Sequence, residues 1–353
     1  MKVKIYGAGS IGNHLAQASR RLGWDVVVVD RDGEALRRMK EEIYPQRYGE
    51  WDQKIELFEA GSEPKGGFDV ICLGTPPDVR MSLALEVLAE KPKILQLEKP
   101  ISGPDLLGVD KLDAAIKDSK TAVVVGYDHV VSLAMKKVED LIRSGNFGEP
   151  LALDVEFRET WKGIFAAHPW LSGPHETYLG FWESGGGASG EHSHATNMWQ
   201  HLAQVLGLGK VKEVSASMQM VKDGRVDYDR ACFLNLITIT GFVGRSVHDV
   251  ITEPVKKQAR IQFDSGFLEL NVNGWERGDL VRYGNGQNIE EVKIEKTRRD
   301  DFYQEMLHII DILEGRIKRE DSPISWQRGL DTMKVIAAAH KSRQEKRSIE
   351  VNL

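Results

Sequence analysis

Val3-Lys4-Ile5-Tyr6-Gly7-Ala8-Gly9-Ser10-Ile11-Gly12, near the head of the 353-residue chain, joins a short apolar run to three glycines with Gly-x-Gly-x-x-Gly spacing. This is the junction of a first strand and a first helix in a dinucleotide-binding fold. The first glycine permits the tight turn, the second lets the backbone approach a pyrophosphate, and the third lets helix and strand pack closely. The N–H groups of Ser10 and Ile11 then open a helix whose positive end favours phosphate. A second apolar run, Val26-Val29, ends in Asp30, about the ~20 residues beyond the glycines at which an acidic side chain meets the adenosine ribose. A carboxylate there repels a 2′-phosphate, so NAD is expected rather than NADP. Two features qualify this: a strand-end Asp also serves as a helix cap, and Arg31 is placed to reach a phosphate.

Working outward, the first ~125 residues alternate short strand-like runs with amphipathic stretches, the pattern of a parallel α/β sheet. Strands are predicted at Val3-Tyr6, Asp25-Asp30, Phe68-Leu73, Lys93-Leu97 and Thr121-Gly126, and helices at Ile11-Leu22, Gly33-Glu42, Val79-Ala89 and Pro104-Asp118. Past Gly126 the strands alternate polar and apolar residues, as a half-solvated antiparallel sheet does. Val214, Ala216, Met218 and Met220 show it, as do Leu234-Thr240 and Phe267-Leu270 after the Asp264-Ser265-Gly266 turn. Helices at Asp301-Leu313 and Trp326-Arg343 and a strand at Ser348-Val351 close the pattern. The expectation is a doubly wound parallel sheet over 1–125 and an α+β domain with a large, mostly antiparallel open sheet over 126–353.

Composition limits the function classes. With 41% apolar and 28% charged residues the chain is an ordinary globular protein, neither disordered nor fibrous. A net charge of −6, with Lys and Arg scattered, leaves no footprint for nucleic acid or an acidic membrane surface. Met1-Lys2 runs straight into the first strand without a secretory apolar segment, and the two cysteines, Cys72 and Cys232, form no disulfide framework. A cytoplasmic protein is expected.

Leu97-Glu98-Lys99-Pro100 follows a predicted strand, which places ionisable residues at the carboxyl edge of the sheet, where open α/β folds bind ligands. Gly74-Thr75-Pro76-Pro77 is another turn at that edge. Together with Gly126-Tyr127, Gly145-Asn146-Phe147-Gly148 and the glycine-rich run Gly185-Ala188, these motifs resemble the Gfo/Idh/MocA family of glucose-fructose oxidoreductase, inositol dehydrogenase and rhizopine-catabolism proteins. The resemblance spans nearly the whole chain. It implies a Rossmann domain, a second domain whose open sheet binds substrate and builds a homodimer or homotetramer, and hydride exchange between NAD and a sugar-like secondary alcohol. It places Thr75, Pro76 and Glu98 at the cofactor and Lys99 at the reacting hydroxyl. The chemistry agrees, since oxidising an alcohol requires a base for its proton as the hydride leaves.

After the glycine run, members of that family carry an Asp and, four residues on, a His; here those places hold Glu191 and Ala195. His192 and His194 flank the vacant position, and His194, three residues from Glu191, is the expected replacement. As metal ligands Glu191, His192 and His194 are poorly spaced, because residues two apart in a helix point apart, and no metal is expected. Trp161, His168, Trp170, His175, Tyr178 and Trp182 crowd a stretch rich in glycine and proline that reads as a long loop. Trp161, Trp170 and His175 there suit the faces and hydroxyls of a sugar, or else anchor the loop. His129, just past the last parallel strand, faces the substrate or serves the linker. A cofactor-binding regulator of the same fold and a reductase of carbon–carbon double bonds are the competing classes. Lys99 within its motif favours the alcohol dehydrogenase.

Overall fold

The computed structural model describes residues 1–166 and 168–351. Six strands form a parallel sheet: β1 (Lys2–Tyr6), β2 (Asp25–Asp30), β3 (Ile55–Glu59), β4 (Val70–Leu73), β5 (Ile94–Leu97) and β6 (Ala122–Val125). Their order, β3-β2-β1-β4-β5-β6, is that of a dinucleotide-binding sheet, with the reversal between β1 and β4. That reversal opens a crevice above the turns at Gly7 and Gly74. β2, β4, β5 and β6 are apolar at nearly every position because helices cover both faces, so their interiors read as continuous hydrophobic runs.

The helices α1 (Ser10–Arg21), α2 (Gly33–Arg38), α3 (Tyr44–Tyr48), α4 (Pro77–Leu88) and α5 (Val109–Lys117) connect these strands. Three details differ from the sequence reading. The edge strand β3 has no predicted counterpart, since only Ile55 of its five residues is fully buried and its pattern carries little signal. The helix expected over Gly33-Glu42 runs from α2 through a π-helical turn, Met39–Ile43, directly into α3. The helix expected from Pro104 begins only at Val109, because Leu106 and Gly108 take positive φ values of 57° and 79°.

The second sheet has nine strands in the order β14-β13-β12-β11-β7-β10-β9-β8-β15. They are β7 (Pro150–Arg158), β8 (Val211–Lys222), β9 (Asp227–Thr238), β10 (Val243–Asp249), β11 (Lys256–Phe263), β12 (Phe267–Trp275), β13 (Gly278–Gly284), β14 (Ile289–Glu295) and β15 (Ile349–Glu350). Among its described strands only β7 and β10 pair in parallel. The Asp264-Ser265-Gly266 turn joins β11 and β12 as a hairpin, closed by Phe263 N–H on the Gly266 carbonyl at 2.8 Å. Helices α6 (Leu133–Arg143), α7 (Trp161–Ala166), α8 (Gly187–Glu191), α9 (Ser193–Val205), α10 (Arg298–Leu313) and α11 (Trp326–Glu345) complete the chain. The stretch read as one long loop therefore begins with a short helix, α7, and continues in three 3₁₀ turns.

The alternation predicted for the open sheet is visible in β9, where Cys232 and Leu234 are buried while Phe233 between them is exposed. Exposed Leu151, Phe233 and Val243 leave apolar side chains uncovered on this sheet. The last helices return to the first sheet. Val125 N–H bonds the Ile324 carbonyl ahead of α11, and Arg21 of α1 pairs with Asp300 of α10 at 2.7 Å. Asp128, Lys99 and the α8–α9 junction are thus held between two sheets tied together at both ends.

Candidate active site

Gly7 adopts φ +105°, a region that side chains rarely enter, and a Cβ on Gly12 would stand 1.8 Å from the Gly7 carbonyl oxygen. A Cβ on Gly9 would meet nothing within 4 Å, because that position faces an open cleft. Asp30 accepts from the N–H groups of Ala8 at 2.8 Å and Asp32 at 2.9 Å, and so braces the glycine turn while lining the cleft. The capping role falls to Asp32, which accepts from Glu34 N–H at the start of α2. Gly7, Gly9, Ser10, Ile11, Asp30, Arg31, Thr75 and Pro76 all line this cleft of about 920 Å³, whereas Gly12 lies beneath the turn. The Thr75 hydroxyl is buried there without a partner. A glycine cradle, an acidic residue at the end of β2 and an orphaned hydroxyl together fit a dinucleotide.

A second chamber, about 780 Å³, adjoins the cleft. The two share Ser10, Ile11, Glu98, Lys99, Ile164, His168 and Glu191, so Lys99 stands where they meet. The Lys99 ammonium donates to the Glu191 backbone carbonyl at 2.8 Å and to its carboxylate at 3.2 Å. These contacts fix the amine of β5's carboxyl edge against α8. Glu98 is buried beneath, where loss of water raises its pKa, as it does for Glu305; the amide of Gln96 donates to both carboxyls. Arg80, which the sequence reading passed over, is 2% exposed and donates to the carbonyls of Glu98, Pro100 and Thr75. It locks both carboxyl-edge turns in one geometry. Its only sequence signal is an arginine one turn inside an otherwise ordinary helix.

His192 and His194 both line the chamber, contrary to the expectation that they point apart. The chain breaks between α8 and α9 at His192, so the two histidines do not belong to one continuous helix. Ala195, at the family's histidine position, is wholly buried in the core and away from the chamber. His129 faces His194 with ring centroids 4.8 Å apart, and Tyr127 meets His194 edge-on at 5.4 Å. Burial, reinforced by Lys99 and Arg298, holds both His129 and His194 well below the usual histidine pKa and therefore neutral. Asp128 lies between them. Although burial opposes its ionisation, the Arg298 guanidinium bonded to it, with the Lys296 ammonium, pulls its carboxyl down to about 2. Arg298 comes from the first turn of α10, 170 residues further along, and no local pattern announces that contact.

The aromatic loop divides differently from the expectation. Trp161 reaches neither cavity; it packs on Tyr228 at 5.6 Å in a satellite core with Ala188, Val226 and Val250. His175 also lies outside both, beside Ser172 and Glu176. Trp170 lines the dinucleotide cleft rather than the chamber, with Arg38 against its ring at 5.8 Å. Of the residues assigned to substrate, the structure gathers Lys99, His129 and His194, and it adds Asp128, Phe157, Glu159, His192 and Lys257.

Residues 3–95 match the TrkA-N domain family, a match that runs from β1 into the first two residues of β5. No curated relative matches the chain. Among solved structures, an oxidoreductase from Agrobacterium radiobacter in complex with NAD⁺, L-tartaric acid and magnesium superimposes with a TM-score of 0.78 at 16% identity, over 99% of this chain and 98% of that one. The WlbA dehydrogenase from Bordetella pertussis, bound to NADH and UDP-GlcNAcA, gives 0.72 at 20% identity over 100% and 99%. A levoglucosan dehydrogenase complexed with NADH and levoglucosan gives 0.76 at 16% identity over 100% and 99%. The chain has the fold of these nicotinamide-binding oxidoreductases over its whole length. This is the two-domain architecture that the Gfo/Idh/MocA resemblance implies. Among the described residues, no helix is long and apolar enough to cross a membrane.

Proposed function

We propose that the protein is a cytoplasmic, NAD-dependent dehydrogenase acting on a secondary hydroxyl of a sugar, inositol or nucleotide-linked sugar. The observation that carries this reading is the position of Lys99, whose amine stands where a dinucleotide cleft opens into a second, polar chamber. Bound in the cleft, NAD supplies a hydride acceptor. The Gly7–Gly12 turn and the start of α1 hold the pyrophosphate, Asp30 takes the adenosine ribose hydroxyls, and Thr75 offers its free hydroxyl.

Having passed its own proton to solvent, the uncharged Lys99 amine accepts the proton of the substrate hydroxyl as the carbon loses hydride to the nicotinamide, and Glu191 keeps the amine in place. The neutral imidazoles of His129, His192 and His194 offer hydrogen bonds to further hydroxyls, and Phe157 offers an apolar face to sugar C–H groups. The uncovered side of the nine-stranded sheet, with Leu151, Phe233 and Val243, is the surface through which two or four copies associate.

Asp30→Ala tests the cofactor assignment. The unmodified protein is expected to prefer NAD to NADP, and the substitution removes both the ribose contact and the repulsion of a 2′-phosphate. A hydrogen bond to a charged group is worth ~1.5–3 kcal/mol, so the ratio of kcat/KM for the two cofactors should narrow by roughly tenfold or more. Equal turnover with both cofactors in the unmodified protein contradicts the assignment. The overall reading is tested by incubating inositols, free sugars and nucleotide sugars with NAD and following reduced cofactor by absorbance.

A further inference from the structure

We propose that Asp128, His129 and His194 bind a divalent first-row transition-metal ion, of the zinc or manganese kind, in the wall of the substrate chamber. The proposal does not depend on hydride transfer, and with the ion bound His129 and His194 meet substrate oxygen through the metal in place of the direct hydrogen bonds given above. One ligand atom from each residue lies within 4.8 Å of the others. Asp128 Oδ1 is 3.8 Å from His129 Nε2 and 3.8 Å from His194 Nδ1. These separations are too long for hydrogen bonds, and a small rotation of the rings brings them to the spacing of atoms sharing one ion at ~2.0–2.2 Å.

The second observation is independent of distance. Asp128 Oδ1 and His194 Nδ1, both of them atoms of this cluster, are buried without a hydrogen-bond partner, and Asp128, His129 and His194 are 1%, 7% and 8% exposed. Buried polar atoms are nearly always paired, and such a concentration marks a group that belongs there. Two imidazoles and one carboxylate are the donors of a facial triad, and the imidazoles select a transition metal over magnesium. All three residues line the chamber beside Lys99, which leaves the ion's open positions to water or to substrate oxygen.

The surroundings support the ligands. Arg298 occupies Asp128 Oδ2 and so turns Oδ1 toward the two rings, an outer contact of the kind that orients metal ligands. The four cations that act on the two rings are each matched by a carboxylate: Arg298 and Lys296 by Asp301, Lys99 by Glu191 and Lys257 by Glu159. The spacing argument against a metal set His192 against His194 on one helix; of Glu191, His192 and His194 only His194 is a ligand here, and its partners come from another part of the chain. Asp128 arrives from the turn after β6, which no local spacing around His194 reveals.

The full-length protein, stripped with chelator and dialysed against zinc or cobalt(II) alone, is expected to retain one ion per chain by elemental analysis. Cobalt should give a visible d–d absorption. His194→Ala and Asp128→Asn, with folding checked by thermal denaturation, should each weaken retention by at least ~10–100-fold, while His175→Ala should leave it unchanged. In zinc-loaded crystals the anomalous peak should lie between Asp128 Oδ1 and the two rings, a readout that needs no variant. Retention well below one ion per chain, retention unaffected by both ligand substitutions, or an anomalous peak elsewhere overturns the proposal, whatever the enzyme's activity.

Discussion

Lys99→Met is expected to lower turnover by ~10²–10⁴ or more while leaving NADH affinity within about twofold. General acid–base assistance supplies that range, and the same substitution removes a group that positions the hydroxyl. Methionine keeps the length of the side chain and its packing, but it cannot donate to the Glu191 carbonyl or carboxylate. The pyrophosphate is held at the Gly7–Gly12 turn, which Lys99 does not touch. Turnover is measured by absorbance of the reduced nicotinamide and affinity by NADH fluorescence. Near-normal turnover, or a loss of NADH binding that explains the defect, removes Lys99 from the chemistry.

Stability is expected to fall by several kcal/mol between pH 7 and pH 5. Burial lowers the pKa of His14 and His340 to about 3 and of His248 and His308 to about 4. Unfolded histidines titrate near 6.5, so between these values the unfolded chain binds more protons and acid favours it. The stability these groups contribute is complete above about pH 6.5 and is lost as the pH falls. At pH 5 each costs about 2 kcal/mol, from 1.36 kcal/mol per pKa unit. His129, His192 and His194 act in the same sense. Burial also raises Asp229 to about 7 and raises Glu98 and Glu305, and these carboxyls, which bind protons more readily in the fold, offset part of the loss. Because domains are stable by only ~5–15 kcal/mol, the net change is visible as a falling denaturant midpoint at pH 7, 6 and 5. A level or rising midpoint contradicts it.

What the sequence made legible was local. The glycine turn, Asp30 and the Lys99 motif are each set by a strand end and a fixed spacing, and all stand at the carboxyl edge of the parallel sheet. β3 escaped because an edge strand with one fully buried residue carries almost no periodicity. Trp161 and His175 were assigned to substrate on composition, which cannot tell a cavity wall from a satellite core. His192 and His194 were set on opposite sides by assuming a continuous helix, which the break between α8 and α9 removes. The Asp128–Arg298 pair and the grip of Arg80 on three carbonyls join residues far apart in the chain or use no recognisable motif. They depend on packing that only the folded chain displays.

The most direct test of the central claim is to mix the protein with NAD and a panel of inositols, free sugars and nucleotide sugars, and to follow reduced nicotinamide together with the ketone product. The account predicts that at least one of these alcohols is oxidised with equal yields of reduced cofactor and ketone, and that Lys99→Met abolishes the signal. Tight NAD binding without oxidation of any alcohol in the panel contradicts it and makes the protein a cofactor-binding regulator of the same fold.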